Sequence, residues 1–106
     1  MKRRALIVAP EARDDLTSLY DWIANAASPD VALRYVERIE RHLSGFDFVA
    51  ERGTKRDDVR PGLRISGFER RVTIAFTVGP ERVTILRILY GGRDWERDLS
   101  GDEHGA

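Results

Sequence analysis

Four arginines and a tyrosine in the second half of the chain have the chemistry to act on a phosphate group. They are Arg64, Arg70, Arg71, Arg87 and Tyr90. The guanidinium groups could stabilise charge on a phosphate, and the phenol could serve as an acid. Cleavage of a phosphate ester also needs a general base, but His42 falls in a predicted helix and His104 falls near the end of the chain. Each arginine could equally be a surface or helix-contacting charge, and the tyrosine could be a packing residue.

The charged residues are unevenly distributed, although the formal net charge is zero. Residues 1–50 carry seven basic and eight acidic side chains, whereas residues 51–97 carry eleven basic and seven acidic ones. Residues 98–106 carry three acids and no base. The basic segment could bind a polyanion or an acidic partner, or could simply be a solvated surface. Overall neutrality argues against a dedicated DNA-binding protein, so we expect no specific DNA binding by the chain alone.

Several other kinds of site are excluded by composition. The sequence has no cysteine, which removes disulfides, thiolate metal sites and a cysteine nucleophile. Acidic residues occur singly or in exposed helical turns, so neither a paired-carboxylate enzyme nor a metal site is expected. Apolar runs are only a few residues long, and the basic start lacks the apolar core of a signal peptide. We therefore expect a cytoplasmic protein without metal or other cofactor.

Two amphipathic helices are predicted after a short first strand at residues 5–8. Pro10 suits the first position of a helix, in which residues 16, 19, 20 and 23 form an apolar stripe. Ser28 is a predicted N-cap for a second helix that starts at Pro29, and its stripe contains residues 32, 36, 39 and 43. The link is so short that the helices must form an antiparallel hairpin whose two stripes face one common layer.

Beyond a polar loop at residues 51–58 the apolar pattern alternates with a period of two. Three strands are predicted, around residues 63–66, 71–78 and 83–90. In the last strand residues 84, 86, 88 and 90 are predicted to share one face, and residues 83, 85, 87 and 89 the other. Both faces are largely apolar, which predicts an interior strand. The elements give an α+β fold of order β-α-α-β-β-β, with the helical hairpin on one face of a mostly antiparallel sheet. We expect one domain over residues 1–97 and a disordered acidic tail over residues 98–106.

Five segments in order resemble the RelE/ParE toxin superfamily, and its ParE-like toxins in particular. Residues 9–16 (APEARDDL) resemble the family's S-P-x-A-x-x-D-L, and residues 20–24 (YDWIA) and 28–32 (SPDVA) resemble its helical motifs. Residues 60–64 (RPGLR) are similar to the segment entering the family's sheet. Residues 83–94 (VTILRILYGGRD) are similar to its closing V-x-I-L-R-V-L-H-G-A-R-D. The resemblance covers roughly residues 5–96 at the correct spacing.

The sequence also departs from the family pattern. Ala9 replaces the usual serine, so the first helix loses a side-chain cap worth about 1 kcal/mol. The middle strand lacks two tyrosines and an arginine typical of the family, and Tyr90 replaces a frequent histidine. These changes lie on the sheet, where chemistry or target contact is expected.

The resemblance implies a bacterial toxin of a type II toxin–antitoxin system, the class also linked to plasmid stabilisation. ParE-type members are associated with poisoning DNA gyrase, whereas RelE-type members cleave messenger RNA on the ribosome. The long helical hairpin favours the first, so we expect inhibition by binding rather than an enzyme. A RelE-like ribonuclease and an inactive antitoxin-binding homologue are the alternatives.

The resemblance further implies a DNA-binding antitoxin whose C-terminal segment wraps the toxin. Such a segment needs an apolar groove rimmed by arginines. The candidate residues for binding the antitoxin or the target are Arg60, Arg64, Arg71, Arg87, Arg93 and Trp95. A ribonuclease would instead use Arg64, Arg71, Arg87 and Tyr90 as catalytic residues.

Overall fold

The computed structural model describes residues 4–47 and 53–91 of the 106-residue chain. The proposed acidic tail and the C-terminal boundary of the predicted domain lie outside these residues. No helix in the described part of the chain is long and apolar enough to span a membrane.

Two helices form the predicted antiparallel hairpin. Helix α1 spans Pro10–Ala26 and helix α2 spans Pro29–Leu43, with a 3-10 helix at Ser44–Asp47. Both begin with proline, whose fixed φ suits a first helical turn. The Ser28 hydroxyl accepts a hydrogen bond of 3.2 Å from the Val31 N–H, which confirms the predicted N-cap.

Five strands form one sheet in the order β1-β5-β4-β3-β2. Their bounds are Ala5–Val8, Thr54–Lys55, Arg64–Phe68, Val72–Val78 and Arg82–Tyr90 in chain order. Strands β1 and β5 are parallel, and the other neighbours are antiparallel. The predicted α+β fold is confirmed, with β5 in the interior. The two-residue edge strand β2 is an addition, because it lies inside the segment that was predicted to be loop.

A β-bulge in β5 makes the predicted assignment of its faces wrong. Ala75 is opposite Arg87, but the next residue of β4 is opposite Ile85, which leaves Leu86 as an extra residue. The extra residue resets the alternation of side chains. Consequently Ile85 and Ile88 both pack in the core beneath the helices, whereas Leu86 packs in the cluster on the opposite face.

The main core lies between the helical hairpin and the sheet. Of the eight residues in the two predicted apolar stripes, five are buried: Leu19, Ile23, Ala32, Ile39 and Leu43. The other three are half-buried: Leu16, Tyr20 and Val36. These three line a shallow groove of about 360 Å³ between α1 and α2, where the two helices leave their contact partly open to solvent. A smaller cluster of Leu63, Ala75 and Leu89 lies on the opposite face of the sheet.

We predict that Ala9→Ser will stabilise the protein. Ala9 is the N-cap of α1 with extended backbone angles and makes no side-chain capping bond. A serine hydroxyl at this position can accept a hydrogen bond from an N–H of the first turn, which is worth about 0.5–2 kcal/mol. Urea unfolding of the variant should show this gain, while Ala27→Ser, at the other end of the helix, should not.

Candidate functional site

An open groove of about 770 Å³ lies where α1 crosses the end of β5 and the start of β4. Helix α1 contributes one wall and the two strands contribute the floor and the other wall. The lining residues are Asp15, Ser18, Leu19, Trp22, Arg71, Arg87, Ile88, Tyr90 and Gly91. Three of the residues predicted from the sequence as site candidates, Arg71, Arg87 and Tyr90, are therefore brought together.

A two-point ion pair joins the walls of this groove. The Nε and a terminal nitrogen of Arg87 donate to the two carboxylate oxygens of Asp15, at 2.7 and 2.9 Å. The backbone N–H of Ile88 donates to the same carboxylate at 2.8 Å. Only 12% of the Asp15 side chain and 24% of the Arg87 side chain are exposed. This arginine therefore fixes α1 to β5, directly after the bulge.

Two aromatic rings, Trp22 and Tyr90, line the groove, and a third lies against Tyr90. The exposed ring of Trp22 lies 5.2 Å from that of Tyr90, and Tyr90 meets Tyr35 edge-on at 6.2 Å. Such tilted and edge-on contacts are favourable arrangements of aromatic rings. Sequence reasoning missed Trp22 as a site residue. The available signal was its place in α1 off the apolar stripe, where so large a ring is left facing solvent.

Arg71 supplies an available cation at the rim of the groove. Its side chain is exposed and makes no ion pair with any residue between positions 4 and 47 or 53 and 91. Its carbonyl oxygen accepts a hydrogen bond of 2.8 Å from the Gly91 N–H, which joins the start of β4 to the end of β5. Within the described part of the chain, the guanidinium can therefore bind a carboxylate or phosphate without first breaking an ion pair.

The other sequence candidates lie elsewhere. Arg64 is opposite Phe76 in the β3–β4 ladder, four residue pairs from the Phe68–Val72 pair, which corresponds to about 13 Å along the strand. Arg60 is exposed in the loop before β3. Neither lines the groove. Arg93 and Trp95 lie outside the described residues, so their predicted roles stay predictions.

Tyr35, beneath the groove, is poorly suited to acid–base chemistry. Burial, the largest cause, raises the pKa of its hydroxyl above the ordinary tyrosine value. Smaller electrostatic effects come from four neighbours: Tyr90, Glu69, Arg38 and Arg71. The hydroxyl is buried and has no hydrogen-bond partner among the described residues. It therefore stays protonated at neutral pH.

The turn between β3 and β4 lies beside this ring. Glu69 and Arg70 have φ angles of 51° and 65°, in the left-handed region. Arg38 of α2 donates two hydrogen bonds to the Glu69 carboxylate, at 3.0 and 2.8 Å. These bonds hold the pKa of Glu69 below its ordinary value. The Arg38 guanidinium also lies 4.9 Å from the centre of the Tyr35 ring, in a cation–π arrangement.

The chemistry of the groove suits binding. Among the residues that line it, the one carboxylate, Asp15, already accepts three hydrogen bonds, and there is no histidine. The part of the chain that the structure describes also holds no group of acidic or histidine side chains arranged to bind a metal. An exposed indole, a second ring and an arginine can together hold an apolar side chain and a neighbouring anion.

Comparisons with known proteins agree with this fold. The sequence profile of the family described as "ParE toxin of type II toxin-antitoxin system, parDE" matches residues 6–95. A solved structure described as "Chromosomal ParDE TA system from P. aeruginosa" contains a similar chain with 28% sequence identity and a TM-score of 0.76. The similarity covers 85% of this chain and 98% of that one. The comparison with curated protein sequences gives no match.

Proposed function

The chain belongs to the ParE toxin family of type II toxin–antitoxin systems, and from this premise we propose that it arrests bacterial growth by binding DNA gyrase. We further propose that the C-terminal segment of a cognate antitoxin neutralises it by docking in the groove beside α1. The observation that carries this second proposal is the position of Arg71, an exposed cation beside two aromatic rings in an open groove.

The form of the groove supports an antitoxin with an acidic C-terminal segment. Arg71 can bind a carboxylate, while Trp22 and Tyr90 offer apolar surface for a neighbouring side chain. The basic surplus of residues 51–97 has the complementary sign. The similar solved chain is described as part of a ParDE toxin–antitoxin system, which also supports an antitoxin partner.

Inhibition by binding is favoured over RNA cleavage because the groove lacks an available base. A ribonuclease would have to activate the 2′-hydroxyl, and Asp15 is committed to Arg87 and Ile88. One observation favours the RelE-like alternative, namely that Arg71, Arg87 and Tyr90 converge on a single groove. That alternative makes a different biochemical prediction.

We expect the purified protein to inhibit supercoiling by gyrase and to leave ribosome-bound messenger RNA intact. Induced expression should arrest growth, and co-expression of the protein encoded beside this gene should restore it. If messenger RNA is cleaved, and Tyr90→Phe slows cleavage about a hundredfold, the RelE-like alternative is correct. If the folded protein leaves growth unimpaired, the chain is an inactive homologue.

The docking site is tested by reversing one charge. Arg71→Glu should weaken antitoxin binding at least about tenfold, because the groove then repels the acidic segment. Arg82→Glu makes the same change at an exposed arginine at the opposite end of β5, which does not line the groove, and should alter the affinity less than about twofold. Equal affinities for the two variants would place the antitoxin elsewhere on the surface.

A further inference from the structure

The turn between β3 and β4 adopts a conformation that its residues do not favour. The Arg71 N–H donates to the Phe68 carbonyl at 3.2 Å, closing a β-turn within the three-residue link between the paired residues Phe68 and Val72. Both intervening residues have positive φ, which in such turns is ordinarily supplied by Asn-Gly or similar pairs. Here the pair is Glu69-Arg70, and a non-glycine residue in this region costs free energy. The strained turn therefore needs support from its surroundings.

That support comes from α2. The Glu69 carboxylate is held by two parallel hydrogen bonds from Arg38, a geometry that fixes its orientation as well as its distance. The guanidinium in turn lies against the Tyr35 ring, which packs edge-on against Phe68 at the end of β3. We name the Arg38–Glu69 pair the turn clamp. Both side chains of the clamp are exposed. Arg38 also lies against the Tyr35 ring, and Glu69 belongs to the turn itself.

The turn clamp connects directly to the groove. Arg71 is the first residue after the turn, so the position of the turn sets where its side chain emerges. Tyr35, beneath Arg38, contacts Tyr90, and Tyr90 contacts Trp22. Arg71 is therefore adjacent to the turn that the clamp holds, whereas Tyr90 is one ring contact away from Tyr35 and Trp22 is two contacts away.

We propose that Arg38 and Glu69 are positioning residues that hold the groove in its binding-competent shape. They touch no ligand themselves, and they act by fixing Arg71 and the Tyr35–Tyr90–Trp22 rings. The expected effect on antitoxin affinity rests on the proposed function. The expected effect on the shape of the groove concerns the free protein and is tested there first.

The test in the free protein uses amide hydrogen exchange followed by NMR. In Arg38→Gln the amides of Arg71 and Gly91 should exchange at least about tenfold faster, because local opening of the hairpin becomes easier. Arg34→Gln removes an exposed arginine one turn earlier on the same helix and should leave these rates unchanged. Arg38→Lys keeps the charge but cannot donate two parallel hydrogen bonds to the carboxylate, so it should behave like the glutamine variant.

Swapping the two charged residues should restore the turn clamp. The double variant Arg38→Glu/Glu69→Arg restores an arginine–carboxylate pair across the same gap and should return the Arg71 and Gly91 amides towards the wild-type rates. Unchanged exchange in Arg38→Gln would overturn the proposal, whatever the protein binds. If these amides exchange faster in Arg38→Gln and the double variant does not slow them again, the proposal is also overturned.

The second arm separates positioning from stability. Arg70→Gly relieves strain and leaves the clamp intact, so the melting temperature should rise by a few degrees. Because it also removes one exposed charge, the affinity for the protein encoded beside this gene should fall by less than about twofold. Glu69→Asn also suits the turn but removes the clamp. It should keep or raise the melting temperature and weaken binding about fivefold or more.

Stability and affinity then move in opposite directions in Glu69→Asn, which a purely stabilising ion pair does not produce. If wild type binds and Glu69→Asn binds equally well, the positioning role is wrong while the proposed function stands. If wild type does not bind the adjacent gene product, the proposed function fails, and the hydrogen-exchange result alone decides the role of the clamp.

Discussion

Ile39→Ala should lower the free energy of unfolding by about 2–5 kcal/mol, the range measured for truncating a fully buried aliphatic side chain. Ile39 lies near the middle of α2 with none of its surface exposed, and it belongs to the core between the helices and the sheet. Its removal leaves a cavity that rigid helices on one side and a hydrogen-bonded sheet on the other can close only partly.

Urea or guanidinium unfolding monitored by circular dichroism measures this change. Glu37→Ala, an exposed position on the same helix, should change stability by less than about 0.5 kcal/mol. A loss of less than about 1 kcal/mol in Ile39→Ala would mean that the helical hairpin packs on the sheet much more loosely than the burial of this residue indicates.

Asp15→Ala should be nearly as damaging, at about 2–4 kcal/mol, because it removes the carboxylate that accepts three hydrogen bonds in a largely buried pair. The donors that lose this carboxylate are the Arg87 guanidinium and the Ile88 N–H. We place the loss at the lower end of this range, since 24% of the Arg87 side chain still reaches water. Asp14→Ala removes an exposed carboxylate from the same turn and is the matched control.

A double-mutant cycle identifies the source of the loss. Asp15→Ala combined with Arg87→Met should be less destabilising than the sum of the two single changes, because both changes remove the same pair of hydrogen bonds. Strict additivity would contradict the coupling. The same pair also matters for any activity assay, since Arg87→Ala is expected to loosen α1 from the sheet. A loss of toxicity in that variant alone is therefore not evidence of a catalytic arginine.

Most of the fold could be predicted from the sequence, because local patterns determined it. Pro10, Ser28 and Pro29 mark the helix starts, and the apolar stripes mark the sides that face the sheet. The bulge at Leu86 could not be predicted, since the residues around it are all strand-forming and nothing in their order shows which of them lacks a partner. Strand β2 has only two residues, too few for an alternating pattern to stand out.

The site could be predicted in part. Arg71, Arg87 and Tyr90 were identified from residue type and position in the strands, and they do share a groove. The sequence did not show that Arg87 is held in an ion pair whereas Arg71 is exposed, because Asp15, which binds Arg87, lies in α1, far away in sequence. Trp22 was missed for a related reason: its contact with Tyr90 joins a helix to a strand end, and no spacing rule connects them.

The parallel pairing of β1 with β5 also bears on how the protein is made. This pairing joins residues that are far apart in sequence. Beside it, for example, Arg4 donates a hydrogen bond to the carbonyl oxygen of Gly79, which lies 75 residues further along the chain. A growing chain on the ribosome therefore has no partner for its first strand until the last one emerges, and contacts of such long separation form late. A chain released before β5 is made lacks the strand that pairs with β1, and it also lacks Arg87, which binds Asp15. Translation that stops before β5 thus yields neither the completed sheet nor the groove in which we propose that the antitoxin docks.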